Sequence, residues 1–305
     1  MAIPIIVYSA LTYGALITIM SLGFTLTYMT AKIPNFAHGT YAGFGIYVSF
    51  TLAKLYGYNP YWSIPISIML GAFIGMILYM FVIRTMIKLF AGEIVLTIST
   101  IAIGLFMKAT IDVYTFWVRE KWGQYTYGFL LKQFDFKFFS IPGIFFVSNI
   151  VCLIVVLSLF YTLKRTKIGV AMRAATEDLN LASIVGINTH LVQTISWCLT
   201  GALACLAGSM IPFWFQSNPA AGDRLLMATM AGSLLGGLDN IYGAVIGGFF
   251  VGCVEILFTS ILMSWFGSWV GEYRPLVPLA IVILVLLIKP KGLSGAIEEW
   301  RSLRR

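Results

Sequence analysis

Apolar residues fall in runs of about twenty, divided by short polar connectors, and a run of that length is what a helix needs to cross a hydrocarbon core. The pattern predicts spans over 5–29, 36–55, 61–83, 92–116, 141–163, 191–212, 241–264 and 272–288. A ninth run, 225–238, is glycine-rich and about 14 residues long, which suits a short, broken or re-entrant piece. The expected fold is all-α: a polytopic transmembrane helical bundle of about eight or nine segments. The longest polar stretches, 117–140 and 164–190, are too short to build cores of their own. Residues 1–305 therefore read as a single membrane-embedded domain.

Composition excludes a water-soluble domain, because 59% of residues are hydrophobic and only 10% charged, where soluble domains carry about a quarter. The net charge of +8 raises nucleic acid as a partner. The basic residues, however, are scattered at the ends of apolar runs and form no stripe, so they read as membrane topology signals. The start, Met1-Ala2-Ile3-Pro4, lacks the basic region and cleavage site of a secretory signal, so the first run is expected to stay as a span. Cys152, Cys198, Cys205 and Cys253 sit inside apolar runs without metal-like spacing and read as small core residues.

Positive residues favour the cytoplasmic side, and the sharpest cluster is Lys164, Arg165, Lys167 and Arg173. Placing it inside puts Lys32, Arg84 and Lys88 inside and the N-terminus outside. The basic C-terminal tail (Lys289, Lys291, Arg301, Arg304, Arg305) falls inside only if 225–238 crosses, which favours nine crossings. Trp62, Trp117, Trp122, Trp214, Trp265 and Trp269 then fall at outer ends, as interfacial anchors do.

The segment 166–188 is polar and helix-prone. Ala171 to Glu177 is rich in helix formers, Asp178 or Asn180 can cap a following turn, and Gly186 can end it. Composition alone leaves two readings open: a solvated connector on the membrane surface, or a compact cytoplasmic knob that binds a partner. The pattern Arg173-Ala174-Ala175, Glu177-Asp178, Ala182 and Gly186-Ile187 resembles the coupling loop of ABC importer permeases, and most of all the branched-chain amino acid (LivH/LivM) family. Pro34-Asn35-Phe36-Ala37-His38-Gly39, the stretch Gly236-Gly237 through Gly247-Gly248, and Lys289-Pro290-Lys291-Gly292-Leu293 carry the same resemblance across nearly the whole chain. Departures are Asp178-Leu179 in place of the usual Asp-Pro, and Asp239 where a small residue is more common.

The resemblance implies that the loop docks on an ATP-binding subunit through Arg173, Ala174, Ala175, Glu177, Asp178, Ala182 and Gly186. Its further implications are two ATP-binding cassette subunits that hold ATP and Mg, a homologous second permease subunit in a heterodimer, and an extracellular or periplasmic solute-binding protein. The location implied is the plasma (inner) membrane of a prokaryote. The solute would be a branched-chain or other amino acid, with urea and short amides carried by related members. No GxxxxGK[ST] phosphate loop is present in the sequence, so no cofactor is expected in this chain.

Small residues four apart at Gly243, Gly247, Gly248 and Gly252, and at Gly39/Gly43 and Gly71/Gly75, permit close helix contact, either within the chain or with a second permease. Asn35, His38 and Gly39 stand where the chain re-enters the membrane, either lining a pathway or satisfying a broken helix end. Glu255 lies well inside a span, where a charge must face protein or solute. Lys108 and Asp112 have the i,i+4 spacing of a side-chain pair. The other classes considered are a self-sufficient secondary transporter or channel, for which only Glu255 stands near mid-span, and an intramembrane enzyme. Against the enzyme, His38 and His190 are the only histidines and no paired acid, nucleophile or metal cluster accompanies them.

Overall fold

The computed structural model describes residues 2–138, 141–288 and 292. Uninterrupted apolar sequence becomes helix, since in hydrocarbon every backbone N–H and C=O must find its partner within the segment. The helices are α1 (Ala2–Ala31), α2 (His38–Phe50), α3 (Ser63–Leu78), α4 (Arg84–Lys88), α5 (Glu93–Trp122), α6 (Gly143–Arg165), α7 (Lys167–Glu177) and α8 (Leu179–Ile184). After these come α9 (Thr189–Met210), α10 (Ala221–Gly236), α11 (Ile241–Phe266) and α12 (Leu276–Ile288). A π turn over Thr51–Leu55 extends α2, and another over Tyr79–Ile83 joins α3 to α4. Between α5 and α6 lies a small hairpin of β1 (Lys137–Phe138) and β2 (Ile141–Pro142), antiparallel with Phe138 opposite Ile141.

Six helical stretches are long and apolar enough to cross a membrane unaided: Ile5–Ala31, Pro60–Lys88, Glu93–Trp122, Gly143–Arg165, Thr189–Phe213 and Ile241–Phe266. Helices α2, α10 and α12 are shorter. The run 225–238, read from sequence as short, belongs to a helix that starts earlier, at Ala221. It is preceded by extended chain in which Ser217 pairs with Phe129 at one end of the bundle. At its other end Asp239 meets Lys32, with 2.6 Å between carboxylate and ammonium. That part of the chain thus runs from one end of the bundle to the other.

The core is built as two antiparallel copies of one motif. Helix α1 lies antiparallel to α9, shown by hydrogen bonds from Thr200 Oγ1 to the Gly23 carbonyl at 2.7 Å and from Gln193 Nε2 to the Thr30 carbonyl at 3.3 Å. Helix α11 packs on α1, with Gly252 against Gly14 and Gly248 against Thr18 and Ser21. The equivalent contact in the other copy sets α3 on α9, with Gly71 against Gly201 and Gly75 against the Trp197 carbonyl. Helices α2 and α10 stand in matching places, and their first turns meet, Gly39 against Gly222. Such approaches are possible only where a backbone presents no side chain, which is the physical content of the small-residue spacing.

Several features gather at one end of the bundle. Tyr79 at the foot of α3 bonds Gln193 and His190 at the start of α9 (2.7 and 3.2 Å). Gly292 lies against the last turn of α10 beside Leu234 and Gly237. The rest of the motif 289–293, and the basic tail beyond it, fall outside the described residues. Asp239, a departure from the family pattern, serves as the partner of Lys32. Both side chains are well exposed, so Asp239→Ala is expected to lower thermal stability by less than ~1 kcal/mol. Comparing melting of the two proteins in detergent at low and high salt checks this, and the difference should shrink with salt.

Candidate functional site

The knob forms at the loop 164–190. Thr166 caps α7 by accepting the Gly169 N–H at 3.1 Å, and Asp178 Oδ1 caps α8 by accepting the Leu181 N–H at 3.0 Å. Gly186, at a left-handed φ of 93°, ends α8, and the Ile187 N–H reaches back to the Ala182 carbonyl at 3.0 Å. Arg173, Glu177, Asp178 and Gly186 are exposed and Ala174 is half-buried. Ala175 and Ala182, expected on the partner-facing surface, are buried inside this chain, with Ala175 packed alongside Met172 and Val192. The reason is that α7 folds back on α9, and the face carrying Met172 and Ala175 is used in that contact. What the knob presents instead is Leu181, Ile184 and Val185, the last two 79% and 80% exposed. Little in the sequence singles these three out, since Ile168, Val170, Met172, Leu179 and Ile187 are apolar residues of the same loop.

The junction of α2 and α10 holds the second group. Asn35 and His38 are fully buried. Asn35 Oδ1 accepts the Ala37 N–H at 3.1 Å, and His38 Nε2 lies 2.9 Å from the Met20 carbonyl oxygen. Asn35 thus caps the turn that opens α2, and His38 ties that turn to α1. Gly39 touches the Gly222 backbone and Gly43 faces Ile111 on α5. Gly243, Gly247, Gly248 and Gly252 all pack within the chain, the first two on Gly236 and Gly232 of α10. Lys108 does not pair with Asp112. Its ammonium bonds Asp223 in the first turn of α10. The i,i+4 rule concerns isolated helices, and here a carboxylate from a neighbouring helix is better placed.

Glu255 organises the third group. Its Oε1 accepts from Arg274 Nε at 2.6 Å and from the Tyr13 hydroxyl at 3.2 Å, while the Arg274 guanidinium lies 4.1 Å from the centre of the Tyr13 ring. These residues line a cavity of 820 Å³ with Gln216, Asn218, Arg224 and Glu272. Sequence reasoning found Glu255 but missed Arg224 and Arg274, which stand beside apolar runs and read as ordinary loop charges.

A polytopic helical bundle with a repeated core, a capped knob at one end and a charged cavity within is the architecture of a multi-pass membrane protein. The profile described as branched-chain amino acid transport system / permease component matches residues 6–286, and the chain belongs to that family, one of transport permeases and not of enzymes. Among its relatives is a probable branched-chain amino acid transport permease protein, LivH, from Methanocaldococcus jannaschii, 39% identical across 98% of this chain and 94% of that one. The high-affinity LivH permease of Escherichia coli K12 is 28% identical, and BraD of Pseudomonas aeruginosa 25%, each across 95% of both chains. Of solved structures, PsaBC from Streptococcus pneumoniae in complex with Fab superposes with a TM-score of 0.50 at 12% identity, covering 95% of this chain and 94% of that one. That likeness concerns the fold alone.

Proposed function

We propose that this chain is the membrane-spanning subunit of an ABC importer that carries branched-chain amino acids into the cell. The observation that carries the reading is the knob: two capped helices, rigidly seated on α6 and α9, that present Leu181, Ile184 and Val185 away from the bundle. Exposed apolar side chains gathered on one loop are costly unless a partner covers them, and an ATPase subunit is the partner that the loop pattern favours. Two such ATPases would supply ATP and Mg, and a binding protein on the opposite face would deliver the solute.

A second, homologous permease completes the pathway in this reading. Lys108 stands fifteen residues from Glu93 and fourteen from Trp122, about 21 Å from either end of α5. Its side chain and that of Asp223 are 34% and 50% exposed on the isolated chain. A half-exposed ion pair at that depth is costly against acyl chains, which supports this face of α5 and α10 as the seat of the partner permease.

The test is ATP-driven uptake of labelled leucine by cells or vesicles holding the complete transporter. Uptake that survives ATPase inactivation but collapses with an ionophore would instead support an ion-coupled transporter. For orientation, cysteines placed at Glu177 and at Tyr58 are expected to differ in intact prokaryotic cells. An impermeant thiol reagent should label the Tyr58 site and leave the Glu177 site untouched, because the basic loop lies inside. Labelling at Glu177 would reverse the topology.

A further inference from the structure

We propose that the cavity around Glu255 is a transient station for a zwitterionic solute on its way through the membrane. In it Arg224 and Arg274 receive the carboxylate and Glu255 the ammonium. The proposal rests on the amino-acid reading above and deepens it. Glu255 is the fifteenth of the 26 residues of α11, so the cavity reaches to about the middle of the span.

The chemistry of the lining is what selects the ligand. The Arg274–Glu255 pair uses one edge of each group, Nε to Oε1. Arg274 Nη2 and Glu255 Oε2 are buried with no hydrogen-bond partner, and so is Asn218 Oδ1. Glu255 itself is only 3% exposed. A buried polar atom left unpaired costs free energy, and here a spare cationic donor, a spare carboxylate oxygen and a spare amide oxygen belong to residues lining the same cavity. Arg224 enters from the first turn of α10, exposed and, among the described residues, without a carboxylate within ion-pair distance. An arginine so placed, with both planar edges free, suits bidentate binding of a carboxylate. Ile211, Phe215, Leu225 and Pro275 supply the apolar wall for an aliphatic side chain. At 820 Å³ the cavity accommodates a small ligand with room for water.

Arg224 is the residue to test, because it supports no contact that folding needs. In proteoliposomes containing the full transporter, Arg224→Gln is expected to lower leucine uptake roughly tenfold or more, with the subunits recovered as in wild type. Arg224→Lys should restore part of it. In the same system Arg224→Cys should react with an anionic, water-soluble thiol reagent, beyond the reaction of the native cysteines, and reaction should slow when solute-loaded binding protein is present. Unchanged uptake by Arg224→Gln, poor recovery of its subunits, or an introduced thiol in Arg224→Cys that is inert or unprotected would each overturn the station. A wild-type transporter that imports no amino acid would instead overturn the proposed function.

Discussion

Replacing Ile184 and Val185 together by Asp is expected to reduce solute uptake to background while the chain remains folded in the membrane at its normal level. Both side chains are about four-fifths exposed and make no part of the chain's own core, so the exchange costs the isolated permease little. In a protein interface the same change buries two carboxylates where two apolar anchors sat, and such central residues carry ~2 kcal/mol or more each. Recovery of the ATPase with an affinity-tagged permease should fall in parallel with uptake. Ala182→Glu makes the informative contrast. Ala182 is 4% exposed inside the knob, so the introduced carboxylate would be buried without a partner and should lower the amount of folded protein. If the Ile184/Val185 double variant keeps both uptake and ATPase recovery, the knob is a connector and the central claim fails.

Gly247→Leu is expected to have an effect of similar size by a different route. Any side chain at 247 would fall on the Gly232 carbonyl of α10, and backbone cannot turn aside as a flexible side chain can. Overpacking against movable neighbours costs ~1–3 kcal/mol, and here the two helices must separate along the contact that also joins Gly236 to Gly243. Little monodisperse protein should be recovered in mild detergent. Ile246→Leu, one residue away on the exposed face at 60% exposure, should behave as wild type. Normal yield from Gly247→Leu would show that α10 and α11 do not approach as described.

Much of the architecture was legible because hydrocarbon imposes one rule along the whole chain. Length and apolarity set the long helices, and caps such as Asp178 and Gly186 set the knob. Pairings between distant segments were not legible. Lys108 has Asp112 one helical turn away, and nothing in the sequence states that α10 begins beside it with Asp223. The run 36–55 reads as one uniform span, yet Ala37 and His38 form a buried junction with Asn35 and its last turn winds as a π helix. The loop's small residues were read as a docking surface because small residues serve any close contact. Only the fold shows that Ala175 and Ala182 spend theirs internally. Arg224 and Arg274 escaped notice since their significance lies in lining one cavity with Glu255, and that meeting of distant segments follows from packing that no local pattern records.

The seating of α7 determines where a push on the knob is felt. Gly169 rests on the Thr162 carbonyl and the Leu163 backbone at the end of α6, and Met172 and Ala175 form one cluster with Val192 at the start of α9. Displacement of α8 is therefore delivered to two helices at once, through a backbone contact with no slack on one side and an apolar contact on the other. Helix α9 in turn holds α1, α2 and α3. The knob is thus joined through α9 to the centre of the molecule. A side chain at Gly169, even a methyl, would meet the Thr162 carbonyl and the Leu163 backbone and lift α7 from the end of α6.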